Sequence, residues 1–302
     1  MSVDVKTGAG SGSPIGPESY AATPEEMDAM EASVVGILRN SLSQDYEGVA
    51  ALIVESEDPL ANFGRTSEPI AFLRERGEEY DFYKGMRPYE EKSSFLYTVD
   101  LAQGRIAHIK RLVFPNDPSE RQITGLTGID VIDDRVSSTD PDEHVGLEDI
   151  MRFFKMSEDD LQRSFCVSTN VTTSRVEAEA NTPPHIFLSY KATFLLFKAK
   201  NYDRIFAYLN VAAAHSLGGL GLESQLLQDK EFHLPIPQDD GSVAYDNDYV
   251  AVCLPGSKQN IEAFTVPNRE HPLYKLLNLD LPGYSLPTYS LTREGESVLL
   301  GS

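Results

Sequence analysis

Two neighbouring runs of apolar and β-branched residues, at residues 95–100 and 105–114, are joined by a short turn that contains Gly104. This pattern predicts a β-hairpin, because each run has the length and composition of a strand. Four more runs of the same kind predict further strands at residues 49–54, 165–171, 204–211 and 248–254.

Between these strands, apolar residues recur every three or four positions, which is typical of helices with one buried face. The first helix is predicted to begin after Thr23, since Thr23, Pro24 and Glu26 supply an N-cap, a first-turn proline and a capping-box glutamate. Other helices are predicted at residues 67–77, 146–156, 157–165, 185–200 and 216–228. Strands that alternate with helices predict an α/β (α+β) fold.

The two ends of the chain differ in composition from the middle. Residues 1–22 are rich in Gly, Ser and Pro, which predicts a disordered tail. We expect one domain at residues 23–254, followed by a Pro-rich extension at residues 255–302 that wraps the surface.

Charge narrows the classes of partner. The 302 residues carry a net charge of −21, which disfavours nucleic acid and anionic membrane surfaces. No apolar run approaches the roughly 18 residues that a membrane span needs, and no signal-like pattern opens the chain, so we expect a cytoplasmic protein. Cys166 and Cys253 are interpreted as buried thiols, and the acidic loop at residues 130–144 as solvated rather than metal-binding. The sequence leaves the oligomeric state open.

The segment at residues 210–222 carries the most informative pattern. Asn210 and Ala213 form an Asn-x-x-Ala motif, and Gly221 with Leu222 follows eight residues after the alanine. This register resembles the strand-to-helix segment of the GNAT-type N-acyltransferases. Leu217 stands where many such enzymes carry a tyrosine general acid. A tyrosine general acid is therefore excluded at this position.

The predicted hairpin adds to the resemblance. Ser94, Phe95, Gly104, Arg111 and Leu112 resemble the strand pair of the autoinducer-synthase and long-chain N-acyl amino acid synthase branch. Together with the order of elements, the likeness covers roughly residues 50–255. It implies a mixed, twisted central sheet with helices on both faces, and an acyl thioester bound where strands 165–171 and 204–211 splay apart. Coenzyme A or a carrier protein would carry the acyl group as a co-substrate, with no separate cofactor or metal, and the acidic surface slightly favours coenzyme A.

The chain departs from the family at the pyrophosphate loop. A Gln/Arg-x-x-Gly-x-Gly/Ala motif should follow strand 165–171, and a Thr-Thr-Ser-Arg sequence stands there instead. Hydroxyl groups, helix-start N–H groups and one arginine can still hold a phosphate. The residues expected at the acyl-donor site are therefore Val167, Thr169, Thr172, Thr173, Ser174, Arg175 and Asn210.

Candidate groups for the reaction come from the hairpin and the loop. His108 is expected on one strand face with Ile106, Lys110 and Leu112, and it is a candidate base for an amine, as is Glu177. Arg111 lies on the opposite face among apolar residues, which requires a partner. A substrate carboxylate and a structural partner are equally compatible with the pattern. The expected function is transfer of an acyl group from a thioester to the amine of a small molecule.

The same segment permits other interpretations. Ser216 lies in Ala-His-Ser-Leu-Gly-Gly, which is close to the nucleophile elbow of serine hydrolases. Asp246 or Asp248 and then His271 would complete the triad in the required order. A plain glycine-rich helix start, and a catalytically inactive GNAT-like binding protein, are the remaining alternatives. In the acyltransferase interpretation, Ser216 and Asn210 lie near the thioester.

Overall fold

The computed structural model describes residues 22–76, 86–121, 123–130, 132, 145–173, 175, 185–237, 243–266, 268–270 and 285–302, with only the backbone described at residues 71–76 and 228–249. In that part of the chain the helices are α1 (Pro24–Ser41), α2 (Ala61–Arg76), α3 (Leu147–Phe153), α4 (Glu158–Gln162), α5 (His185–Ala199), α6 (Val211–Gly219) and α7 (Lys258–Thr265), with a 3₁₀-helix at Arg87–Lys92. The strands are β1 (Val49–Glu55), β2 (Ser93–Asp100), β3 (Arg105–Val113), β4 (Ser164–Thr172), β5 (Arg204–Asn210), β6 (Gln225–Pro237), β7 (Val243–Pro255), β8 (Thr288–Leu291) and β9 (Ser297–Gly301).

The strands form one mixed sheet in the order β6-β7-β5-β4-β3-β2-β1-β8-β9. The pairs β4–β5 and β1–β8 are parallel, and the other neighbours are antiparallel. Helices α5, α6 and α7 cover one face over a core that includes Leu96 and Leu112. Helices α1 to α4 lie on the other face, over cores that include Leu52 and Cys166. The predicted mixed sheet with helices on both faces is confirmed.

The hairpin of β2 and β3 is confirmed, and Gly104 takes the positive φ of 64° that its turn requires. A β-bulge interrupts the pairing, because Thr98 lies opposite His108 whereas Val99 lies opposite Ile106. The extra residue reverses the alternation of side chains. The predicted face of Ile106 is therefore wrong: this residue packs in the core under α1, away from His108.

The predicted helix at residues 216–228 is wrong in both bounds. Helix α6 begins directly after β5, because the side chain of Asn210 accepts a hydrogen bond from the Ala213 amide at 2.7 Å. It ends where Gly221 adopts a φ of 78° and Leu222 N–H donates to the Leu217 carbonyl, which is a Schellman motif. Strand β6 follows at Gln225.

The C-terminal segment differs from the predicted surface extension. Its described residues supply α7, and β8 adds to the sheet beside β1, with Leu52 opposite Tyr289. The predicted tail at residues 1–22 lies, except for Ala22, outside the described residues. Within the described residues, no helix is long and apolar enough to cross a membrane, and no cluster of three potential metal ligands is found.

Candidate functional site

Strands β4 and β5 pair over only part of their length. The parallel pairing joins Ser164–Val167 of β4 to residues 204–207 of β5, and no further pairs are formed between residues 168–172 and 208–210. A β-bulge in β4 lies at the point of separation, because Arg111 lies opposite Thr169 whereas Leu112 lies opposite Val167. The two strands therefore open a cleft in the middle of the sheet, which we call the β4–β5 cleft.

The bulge also decides which residues of β4 face each side. Val167 packs in the core under α5. Ser168 and Thr169 both turn to the opposite face, where they contact Met86 and Glu68 respectively. Asn170 returns to the α5 side and contacts Tyr190. Two of the predicted donor-site residues, Val167 and Thr169, thus lie at the cleft but on opposite faces of the sheet.

On the sheet face that α5 covers, polar side chains of β2, β3, β4 and of α5 itself lie beside the apolar core. We call this set the α5-face polar layer; it comprises Thr98, His108, Lys110, Asn170, Thr172 and Tyr190. The His108 ring bonds to Thr172 Oγ1 at 3.1 Å through Nδ1 and to Asn170 Oδ1 through Nε2. Asn170 Nδ2 donates to the Tyr190 hydroxyl at 3.4 Å.

His108 is fully buried, which the sequence did not indicate. Burial, together with the charge of Lys110, lowers the pKa of His108 to about 3. The imidazole is therefore neutral at pH 7 and holds a proton weakly, so it is poorly suited to take one from an ammonium group. In this arrangement His108 orients Asn170 and Thr172 of β4.

The opposite face carries a buried ion cluster of Arg65, Glu68, Glu90 and Arg111. Arg111 Nη2 lies 2.7 Å from Glu68 Oε2, and its Nη1 lies 2.8 Å from Glu90 Oε2. Burial alone would raise the pKa of Glu90, but the charges of Arg111 and Arg65 outweigh it and lower that pKa. The guanidinium of Arg111, our candidate for a substrate carboxylate, is thus occupied by carboxylates of its own chain. The apolar context of Arg111 signalled a partner, but sequence spacing could not identify Glu68 and Glu90.

The candidate phosphate loop is tied to neighbouring elements. The Thr173 hydroxyl donates to the Ile106 carbonyl. Arg175 Nη1 lies 2.7 Å from Asp28 Oδ1 and 2.8 Å from Glu31 Oε2, both on α1. A phosphate at Arg175 would have to compete with these two carboxylates. Ser174 and Glu177 lie outside the described residues.

Asn210 and Ser216 take different positions relative to α6. Asn210 caps the helix at the end of the β4–β5 cleft. Ser216 lies within the helix, and its hydroxyl donates to the Ala212 carbonyl at 2.9 Å. A nucleophile elbow would place the serine on the strand-to-helix turn, which Ser216 does not occupy. The side chains proposed for the rest of a triad, at positions 246, 248 and 271, lie outside the described ones.

The fold and site define a mixed α/β protein with a cleft between two parallel strands. No protein-family model matches the chain, and no curated protein matches it. Among solved structures, it is similar to the acyl-homoserine lactone synthase LasI, with 11% identity over 72% of this chain and 95% of that one and a TM-score of 0.45. It is also similar to BjaI, a CoA-dependent acyl-homoserine lactone synthase, with 12% identity, 80% and 93% coverage and a TM-score of 0.43. An IAA acetyltransferase from Bacillus cereus matches at 5% identity, 69% and 99% coverage and a TM-score of 0.36.

Proposed function

We propose that the protein is an N-acyltransferase that moves an acyl group from a thioester, on coenzyme A or an acyl carrier protein, to the amine of a small molecule. The observation that carries this proposal is the β4–β5 cleft, where pairing stops after Val167 and Ala207. Among the described residues, main-chain groups on the two facing edges beyond this point have no strand partner across the cleft, and such groups require hydrogen bonds. An extended ligand with amide groups can supply them in the manner of an added strand.

The pantetheine arm of an acyl thioester is such a ligand, because it is extended and contains amides. We place it along residues 168–172, with Val167, Thr169, Thr172 and Asn210 around it and Thr173 and Arg175 toward the phosphates. Transfer requires attack of a neutral amine on the thioester carbonyl carbon. The C–N bond forms, the C–S bond breaks, and the departing thiolate takes up a proton. Positioning of the two reactants and N–H groups aimed at the carbonyl oxygen supply the main catalytic contributions.

A base must remove one proton from the acceptor ammonium. His108 is a weak base in its buried setting, since its pKa lies at about 3. We therefore assign His108 the role of holding Asn170 and Thr172, and leave Glu177 as the candidate side chain for proton removal. Replacement of Glu177 by Gln should lower kcat at neutral pH and leave the thermal stabilisation by acyl-coenzyme A unchanged.

The second candidate function is a catalytically inactive protein that binds a thioester. It is favoured by the internal partners of the polar candidates, because Arg111 and Arg175 are both paired with carboxylates of this chain. The cleft would then serve binding alone.

Two measurements on the full chain separate these functions. We expect acyl-coenzyme A of a suitable chain length to raise the melting temperature, and thiol release to follow when a mixture of small amines is added. Stabilisation without thiol release in any amine mixture would favour the binding protein. No stabilisation across a series of chain lengths from acetyl to hexadecanoyl would contradict both. Labelling of Ser216 by a fluorophosphonate, with loss of turnover in Ser216→Ala, would instead point to a hydrolase.

A further inference from the structure

The α5-face polar layer is graded from a closed inner end to an open outer end. Thr98, His108 and Lys110 are each 0% exposed. Asn170 and Tyr190 are partly exposed. Thr172, on the rim beside the β4–β5 cleft, is exposed. A polar layer that leads from solvent to buried groups has the arrangement of a ligand subsite rather than of a sealed core.

Lys110, at the closed end, uses only part of its hydrogen-bonding capacity. Its ammonium has three donors, and the structure gives it one hydrogen bond, to Thr193 Oγ1 at 3.3 Å. Its Nζ also lies 3.5 Å from the centre of the Tyr190 ring. No carboxylate lies within ion-pair distance of it among the described residues. Within the described part of the chain, Lys110 therefore lacks the opposite charge with which a buried lysine is usually paired.

Thr98 provides a second unsatisfied group beside it. The Thr98 hydroxyl is buried and has no hydrogen-bond partner in the described part of the chain. Thr98 lies opposite His108 and Leu96 lies opposite Lys110, so Thr98 and Lys110 are diagonal neighbours on the same face. Diagonal neighbours of this kind lie about 7–8 Å apart, within reach of a long side chain. Thr98 and Lys110 are therefore neighbours on the α5 face, and each has unused hydrogen-bonding capacity among the described residues.

The energetics favour an anionic partner. A buried, unpaired ammonium group costs several kcal/mol, because water is lost without a counter-charge. A desolvated cation–π contact returns about 2 kcal/mol, which does not compensate. An anion at the unsatisfied donors would supply the missing charge. A carboxylate fits one amine and one hydroxyl, whereas a phosphate is usually held by more donors or by an arginine fork.

We propose that Lys110 and Thr98 form a buried subsite that binds the carboxylate group of a ligand entering past Tyr190 and Asn170. This inference goes beyond acyl transfer and does not depend on it, because it concerns binding alone. The carboxylate can belong to an amine-bearing molecule or to a simple organic acid. Either source would make the same contacts with Lys110.

The test is a titration of the full chain, followed by NMR at pH 7, with two matched pairs of probes. Hexanoate and hexanamide differ in charge but hardly in shape, as do leucine and leucinamide. We expect hexanoate or leucine to bind the wild-type protein, and the amide of the same pair to bind at least about tenfold more weakly. Tighter binding of leucine would identify an amine-bearing ligand, and tighter binding of hexanoate a simple acid.

The variants decide whether Lys110 is responsible. Lys110→Met should weaken carboxylate binding about tenfold and leave amide binding unchanged, and Thr98→Val should weaken it less. Lys198→Met, on the exposed side of α5, is the matched control and should bind like the wild type. Equal binding of carboxylate and amide, undiminished carboxylate binding in folded Lys110→Met, or no binding of either carboxylate at millimolar concentration would each overturn the subsite.

Discussion

Two adjacent residues of β3, Lys110 and Arg111, are both buried cations, but they have opposite surroundings. Arg111 faces α2 and meets the carboxylates of Glu68 and Glu90. Lys110 faces α5, and its polar contacts among the described residues are with the Thr193 hydroxyl and the Tyr190 ring. The cation on the α2 face is therefore paired with carboxylates of the same chain, whereas the amine on the α5 face has no carboxylate partner among the described residues. Arg111 therefore has a structural role on the α2 face, whereas Lys110 on the α5 face is open to a ligand.

The largest effect on stability should come from disrupting the ion cluster around Arg111. Glu68→Gln removes one of the two negative charges beside Arg111 and leaves a buried cation incompletely paired. We expect a loss of about 3 kcal/mol in the free energy of unfolding, measured by denaturant titration. The double variant Glu68→Gln, Arg111→Met removes the cation as well and should recover much of that loss. A single variant as stable as the wild type would show that the cluster is not a structural unit.

Removal of the buried amine of Lys110 should change the free energy of unfolding in the opposite direction. Lys110→Met removes a buried amine that lacks a counter-charge, and we expect the protein to gain about 1–3 kcal/mol in the free energy of unfolding at pH 7. Lys198→Met, on the solvent side of α5, should change it by less than about 0.5 kcal/mol. Destabilisation by Lys110→Met would mean that Lys110 has a favourable partner and that the comparison is wrong.

The pH dependence of that gain gives an independent check. Burial lowers the pKa of Lys110 well below 10.5, so in the folded chain the amine loses its proton at a lower pH than in the unfolded chain. Between the two pKa values the unfolded state binds more protons, and wild-type stability therefore rises with pH relative to Lys110→Met. The advantage of the methionine variant should shrink toward pH 10. A gain that does not vary with pH would have to come from packing instead.

The smallest effect is expected at Asn210, which caps α6 at the end of the cleft. Asn210→Ala removes the side-chain oxygen that caps α6 and should cost about 1 kcal/mol in thermal or denaturant unfolding. Asn210→Asp or Asn210→Ser, which keep a capping oxygen, should restore most of it. Equal losses in all three variants would show that Asn210 acts through something other than the cap.

Periodicity was enough to predict the elements that build the cleft. The strand at residues 165–171, the helix at 185–200 and the strand at 204–211 correspond closely to β4, α5 and β5. These elements are long and have uniform patterns, so local sequence dominates their formation. The spacing of Asn210 and Ala213 also has a direct physical meaning, since the Asn210 side chain accepts a hydrogen bond from the Ala213 amide.

The errors have causes that a local pattern does not contain. The bulge in β3 moves Ile106 to the other face, and it depends on the register with β2. Helix α6 ends early because Gly221 takes a positive φ and closes the Schellman motif. The partners of Arg111 lie 43 and 21 residues away, and Arg175 pairs with α1 across 147 and 144 residues. Only the tertiary fold identifies such contacts.

The most direct test of the β4–β5 cleft is amide hydrogen exchange with and without an acyl-coenzyme A that raises the melting temperature. Pairing of the pantetheine arm with the open strand edges should slow exchange at residues 168–172 and 208–210. Residues 164–167, which already pair with β5, should change little and serve as the internal control. A stabilising acyl-coenzyme A that leaves residues 168–172 and 208–210 unprotected, and protects another part of the chain instead, would contradict the proposal that the cleft is the acyl-donor site.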